Sequence, residues 1–161
     1  MRHPTSDAPT ATTPEAIAET VLVNAPPDAV WRLVSDVVRM GEWSPECRKV
    51  RLLGAKRPGL GVRMVGLNRR GLAVWPTLSR IVRFDPGRAV AWKTRESGAT
   101  WTYELEPAEG GTRLTGRRDL AAYTTLTRVA APLIGGAGGH DRELAAGIRT
   151  TLERIKGVAE G

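Results

Sequence analysis

Few side chains in this sequence can do chemistry, and their spacing limits what that chemistry could be. There are 2 histidines: His3 lies near the N-terminus and His140 follows a glycine run. General acid–base or nucleophilic catalysis needs a base held beside a second reacting group, and neither histidine has such a neighbour in its stretch of chain. No His or Cys pair has the spacing of a zinc site, so no metal is expected. The single cysteine, Cys47, stands between Glu46 and Arg48. Arg48 would lower its pKa and Glu46 would oppose that, which reads as a structural thiol. Gly135, Gly136, Gly138 and Gly139 have the composition of a phosphate loop. The Lys-Ser or Lys-Thr that would complete such a loop is missing, so the run reads as a hinge or lid connection, and no cofactor is expected.

What remains are groups that orient rather than react: Asn68, Thr77, Ser79, Thr94, Tyr103 and Thr151. Hydroxyls and one amide can hold a ligand's carbonyl or hydroxyl inside an apolar pocket. Arg118, if buried, would favour an acidic head group, although exposure on the sheet is the expectation for an arginine.

The elements that must position these groups follow from hydrophobic period. Ile17, Glu19, Val21 and Val23 share one parity, as a strand requires. Pro26-Pro27-Asp28 then opens a helix in which Val30, Leu33, Val34 and Val37 form one face. A second short helical turn runs to Trp43 and stops at Ser44-Pro45. Trp43 reads either as a wall of the cavity mouth or as a core anchor, and the core anchor is preferred. Six strands follow, over 47–53, 62–68, 72–84, 89–95, 99–106 and 112–119, separated by tight turn sequences such as Asp85-Pro86-Gly87. Short turns make neighbouring strands antiparallel. Leu126, Val129, Leu133 and Ile134 suggest a short apolar segment. Past the glycines, Leu144, Ile148, Leu152 and Ile155 trace a long helix for which Asp141 is the expected N-cap, with Glu153 able to pair with Arg149 or Lys156.

The 161 residues fit one domain, residues 16–161, behind a Thr/Pro/Ala-rich arm at 1–15 that reads as flexible. No apolar stretch is long enough to span a bilayer, and the N-terminus has no apolar signal core. With a lone cysteine, a cytoplasmic location is expected. The net charge of +7 would favour polyanions. The basic residues are scattered along the chain, however, so a solvated surface is the expectation and nucleic acid is not an expected partner.

A strongly bent sheet cannot fill its own concave side, and one helix laid across it leaves an apolar hollow. Trp101, Tyr103 and Leu105 share one parity against Thr100, Thr102, Glu104 and Glu106, which reads as an inner face and a solvent face. The strand over 72–84 carries apolar side chains on both parities, with Trp75, Thr77, Ser79 and Ile81 as one set and Val74, Pro76, Leu78 and Val82 as the other. Trp92 and Thr94 share parity on the next strand. Gly147 and Thr151 are small residues one turn apart on the long helix. Gly147 either leaves room for a guest or lets the helix sit close on the sheet.

Taken in order, Ala25-Pro26-Pro27-Asp28-Ala29-Val30-Trp31, Glu42-Trp43-Ser44-Pro45-Glu46, Asp85-Pro86-Gly87-Arg88 with Ala91-Trp92, Tyr103-Glu104-Leu105-Glu106-Pro107, Gly110-Gly111-Thr112-Arg113-Leu114-Thr115 and Thr151-Leu152-Glu153-Arg154-Ile155-Lys156 are similar to the START-like helix-grip superfamily. The branch they resemble is the small bacterial polyketide cyclase/dehydrase and lipid-transport proteins. The resemblance implies an α+β helix-grip fold: a seven-stranded curved antiparallel sheet, two short N-terminal helices and a long C-terminal helix over a cavity. It implies an apolar ligand such as a lipid or polyketide, with Met64, Gly66, Asn68 and the Trp75 set on the inner face. The expected cavity residues are Met64, Asn68, Trp75, Thr77, Ser79, Ile81, Trp92, Thr94, Trp101, Tyr103, Gly147, Ile148 and Thr151. Binding or transport is the expected function, and a cyclase, aromatase or dehydratase using the same cavity is the alternative. A homodimer is left open.

Overall fold

The computed structural model describes residues 16–120 and 137–161. The expected arm and the apolar segment around Leu126–Ile134 lie outside them.

Strand β1 (Ile17–Val23) leads to Pro26, whose extended backbone starts helix α1 (Pro27–Val34) with a proline at its first position. Val30 and Val34 form its buried stripe. The helix ends at Ser35, so Val37 does not continue the same face. It opens a separate 3-10 turn (Val37–Arg39) that runs into α2 (Met40–Trp43). Ser44 Oγ then accepts the backbone N–H of Cys47 at 3.0 Å and turns the chain into the sheet.

Six strands follow: β2 (Cys47–Leu53), β3 (Arg63–Arg70), β4 (Ala73–Asp85), β5 (Ala89–Thr94), β6 (Thr100–Ala108) and β7 (Gly111–Asp119). They form an antiparallel meander, and β1 returns to pair with β7, giving the order β1-β7-β6-β5-β4-β3-β2. The turns at Gly71 and Gly87 have φ of 58° and 76°, a region that costs glycine nothing and other residues a steric penalty. Bulges between Cys47 and Lys49 and between Ile81 and Arg83 break the register and bend the strands they interrupt.

Burial along β4 resolves its ambiguity, and the second bulge shifts the parity only beyond Ile81. Trp75, Thr77, Ser79 and Ile81 face inward, Val74, Pro76 and Val82 are exposed, and Phe84 returns to the inner side to meet Trp31 edge-on at 5.2 Å. Thr102 departs from the expected solvent face. It alternates outward but is buried, because the register puts it between Ala91 and the much longer Arg117.

Helix α3 (Ala137–Glu160) closes the concave side. It begins a turn earlier than expected and takes in Gly138 and Gly139, so Asp141 lies inside the helix and is not its N-cap. Arg149 reaches across to Glu19 on β1 at 2.8 Å, and Lys156 pairs with Glu160 at 2.5 Å, so neither takes Glu153 as its ion-pair partner. The core gathers under the second half of α3, where Leu152 and Ile155 pack with Val30, Val34, Val90 and Leu114. The first half of the helix covers something else.

Candidate functional site

Between the first half of α3 and strands β2–β7 lies a cavity of about 510 Å³. Pockets of that size hold drug-sized apolar molecules. Its floor is made by alternation. Met64, Gly66 and Asn68 come from β3, Trp75, Thr77 and Ser79 from β4, Trp92 and Thr94 from β5, and Trp101 and Tyr103 from β6. Gly147, Ile148 and Thr151 supply the helical wall. Ile81 does not line it. That side chain belongs to the close-packed core, one step further along β4, where the sheet has curved back toward α1.

Several of the wall's polar groups are engaged within the protein. Ser79 and Thr94 hydroxyls share a hydrogen bond at 3.0 Å. Asn68 Nδ2 donates to Thr77 Oγ1 at 3.1 Å, and Thr151 Oγ1 donates back to the Gly147 carbonyl at 2.8 Å. Tyr103 donates to Met40 Sδ at 3.8 Å and tilts against Trp92, with ring centroids 5.7 Å apart. Each of these bonds takes up polar capacity that the wall would otherwise turn to a guest, so shape and apolar contact carry more of the selection.

Sequence reasoning missed the contribution of the helix corner and of β7. Val37, Met40, Glu46, Cys47 and Val50 close one side. Arg118 corrects an expectation: it is only 5% exposed and points inward, level with Trp101 and Trp92 in the register. The signal available in the sequence was parity alone: Arg118 alternates with Thr112, Leu114 and Gly116, which the structure buries with it. Arg118 Nη2 donates to Asp141 Oδ1 at 3.0 Å, and its Nε has no acceptor among the described residues. Asp141 therefore neutralises a buried guanidinium. A buried charge is tolerated only when paired in this way.

Trp43 is a core anchor. It is fully buried away from the cavity, with the Arg39 guanidinium 5.0 Å from its ring centroid. Gly147 resolves as well. A Cβ there would meet Pro45 at an ordinary 3.6 Å, whereas one on Gly116 of β7 would sit 2.9 Å from Ile148 and 3.2 Å from Leu152. Gly116 is the residue that lets helix and sheet close together, and Gly147 lies over the hollow.

Burial shifts three groups at the wall toward their neutral forms. Burial pushes the Cys47 thiol up to about 11 and raises the Tyr103 phenol further above its usual range. Burial also raises Glu46, against the opposing charge of Arg70. Among the described residues no group of His, Cys, Asp and Glu is placed to hold a metal ion. The rim is where exposure returns, at Pro45, Arg48, Arg69, Gly71 and Glu143. Arg70 on the β3–β4 turn meets Glu143 of α3 across this rim.

Solved structures share this architecture. The di-domain aromatase/cyclase StfQ of the steffimycin biosynthetic pathway superposes with a TM-score of 0.72 at 18% identity, over 90% of this chain and 50% of its own. This chain thus spans about half the length of StfQ. The Zhui aromatase/cyclase from Streptomyces sp. R1128 gives 0.67 at 21%, over 91% and 93% of the two chains. The KanY protein gives 0.69 at 21%, over 91% and 98%. At these identities the likeness is one of fold. No curated protein sequence matches the chain. The family described as polyketide cyclase / dehydrase and lipid transport matches residues 15–160, nearly the whole sequence, and the chain belongs to that family.

Proposed function

We propose that this protein binds an apolar small molecule, a lipid, polyketide or similar compound, in the cavity under α3 and carries it without altering it. The carrying observation is the combination of a 510 Å³ hollow with a wall in which Asn68, Thr77, Ser79, Thr94 and Thr151 already make hydrogen bonds within the protein. Such a wall selects by shape and apolar contact. The expected cavity residues, apart from Ile81, are assigned to ligand contact in this reading. Arg118 adds a polar landmark beside Trp101 for an oxygen on the guest. A cytoplasmic site of action accompanies it.

Native mass spectrometry of protein purified from its own host tests this, together with uptake of N-phenyl-1-naphthylamine, an apolar fluorophore. One retained apolar compound, or one equivalent of fluorophore displaced by it, is the expected result. Gly147→Phe, which places a ring over the hollow, should abolish uptake while leaving the circular dichroism spectrum unchanged. A cavity that takes up neither overturns the reading.

A second reading, a cyclase-type enzyme using the same cavity, is favoured by the raised carboxyl of Glu46 in the cavity wall and by likeness to aromatase/cyclases. It requires turnover of a poly-β-ketone mimic that Glu46→Gln removes. Binding without turnover leaves the carrier.

A further inference from the structure

The convex face of the sheet divides into two unlike halves. On the β6–β7 side the basic residues meet carboxylates: Arg117 pairs with Asp119 at 2.7 Å and Arg113 with Glu106 at 3.3 Å, and past the bulge at the far end of β4 Arg83 pairs with Asp85 at 2.8 Å. On the β2–β4 side they do not. Lys49 and Arg51 of β2, Arg63 and Arg69 of β3, Arg80 of β4 and Lys93 of β5 are all exposed. None of them pairs with a carboxylate among the described residues. Among the described residues Arg69 and Arg80 donate only to the backbone carbonyls of Gly71 and Gly61. The outward positions of β2, β3 and β4 as far as Val82 hold no acidic residue. Glu96, just past β5, spends its carboxylate on the Leu78 backbone N–H at 2.9 Å.

Aliphatic side chains fill the middle of this basic field. Register sets Leu67 between Lys49 and Pro76, and Val65 between Arg51 and Leu78. Val74 is 57% exposed and Leu72, at the tip of the β3–β4 turn, is 97% exposed. Apolar groups left in water and ringed by unpaired cations match one kind of partner, a surface that is both anionic and apolar beneath.

We propose that the convex β2–β4 face docks on an anionic lipid bilayer, with Leu67, Leu72 and Val74 entering the headgroup region while Lys49, Arg51, Arg63 and Arg80 meet lipid phosphates. A second copy of the chain does not fit, because an isologous contact would bring this basic field against itself. Nucleic acid would satisfy the cations but leave the aliphatic centre without a partner. Arg69 and Gly71 belong to this patch and to the cavity rim together, so docking sets the mouth at the bilayer surface. The docking stands whether or not the cavity holds a ligand.

Flotation of the full chain with vesicles tests it. Binding is expected to mixed phosphatidylglycerol–phosphatidylcholine vesicles and not to pure phosphatidylcholine, weakening as salt rises. Lys49→Ser with Arg51→Ser should lower affinity about fivefold per charge removed. Arg113→Ser with Arg117→Ser removes the same charge from the other half of the sheet and should change affinity less than twofold. Leu67→Ser with Leu72→Ser should weaken binding even at low salt. Equal loss from both arginine-bearing halves would reduce the effect to net charge and overturn the proposal. So would vesicle binding indifferent to the leucines, or tighter binding to duplex DNA than to vesicles. A dimer in sedimentation velocity that the leucine variant dissociates would also overturn it, by assigning the face to a second copy.

Discussion

Gly116 has no side chain because α3 already occupies the space, with Ile148 and Leu152 within contact of where a Cβ would be. Gly116→Ala should therefore lower stability by about 1–3 kcal/mol in urea unfolding, the usual cost of overpacking. Gly147→Ala should do the reverse. It has room, and alanine is favoured over glycine in a helix by about 1 kcal/mol, so the midpoint should rise. The Arg118–Asp141 pair predicts an asymmetry of another kind. Asp141→Asn strips the counter-charge from a buried guanidinium and should cost about 1.5–3 kcal/mol, toward the lower end because Asp141 itself keeps contact with water. Arg118→Met, which removes the buried charge as well, should cost less by the same measurement. Glu46 adds a pH dependence. Burial holds its carboxyl above the ordinary value, so the folded chain binds that proton more tightly than the unfolded one. Its contribution to stability is full below the ordinary carboxylate range and is lost as pH rises through the raised value. Glu46→Gln should melt higher than the parent protein near neutral pH, and the difference should vanish below about pH 4.

At the scale of elements, the corner between β1 and α1 is tied to β7 by one buried hydrogen bond, from Thr112 Oγ1 to the Ala25 carbonyl at 2.8 Å. Thr112→Val keeps shape but orphans a buried carbonyl, and a loss of about 1–3 kcal/mol is expected in the same urea titration. That corner and β7 were readable from proline placement and alternation. The start of α3 was not. Four glycines in a row of five argue against helix by intrinsic propensity. Yet Gly138 and Gly139 are helical, and the turn they add brings Asp141 inside the helix, from which its carboxylate reaches Arg118. Local propensity is outweighed there by tertiary placement. Alternation by itself left the parity of β4 open for a related reason, and the family resemblance alone put the Trp75 set inside. Both of its faces are rich in apolar residues, because one faces the cavity and the other carries the exposed aliphatic patch.

For the whole molecule, α3 does two jobs along its length. Leu152 and Ile155 plug one end of the concave sheet, and Gly147, Ile148 and Thr151 roof the other. Separate substitutions should then separate stability from binding. Leu152→Ala should destabilise by about 2–5 kcal/mol, as core truncations do, with the fluorophore affinity of the folded fraction unchanged. Thr77→Phe, at the floor, should abolish fluorophore uptake with little change in the urea midpoint.

The antiparallel meander from β2 to β7, the two short helices and the inner face of β6 were set by residue period and turn chemistry, which act over a few neighbours. The pairing of β1 with β7 was not. Most of the cavity wall followed, because alternation assigns a side to each residue once the fold is known. Three further things were decided only by the tertiary structure. Curvature placed Ile81 in the core and Thr77 at the hollow, though they share a parity. Docking of α3 gave Arg118 its counter-ion and so permitted its burial. Strand pairing gathered Lys49, Arg51, Arg63 and Arg80, scattered along the sequence, onto one half of one face. Charge density depends on neighbours in space, and the linear chain does not contain it.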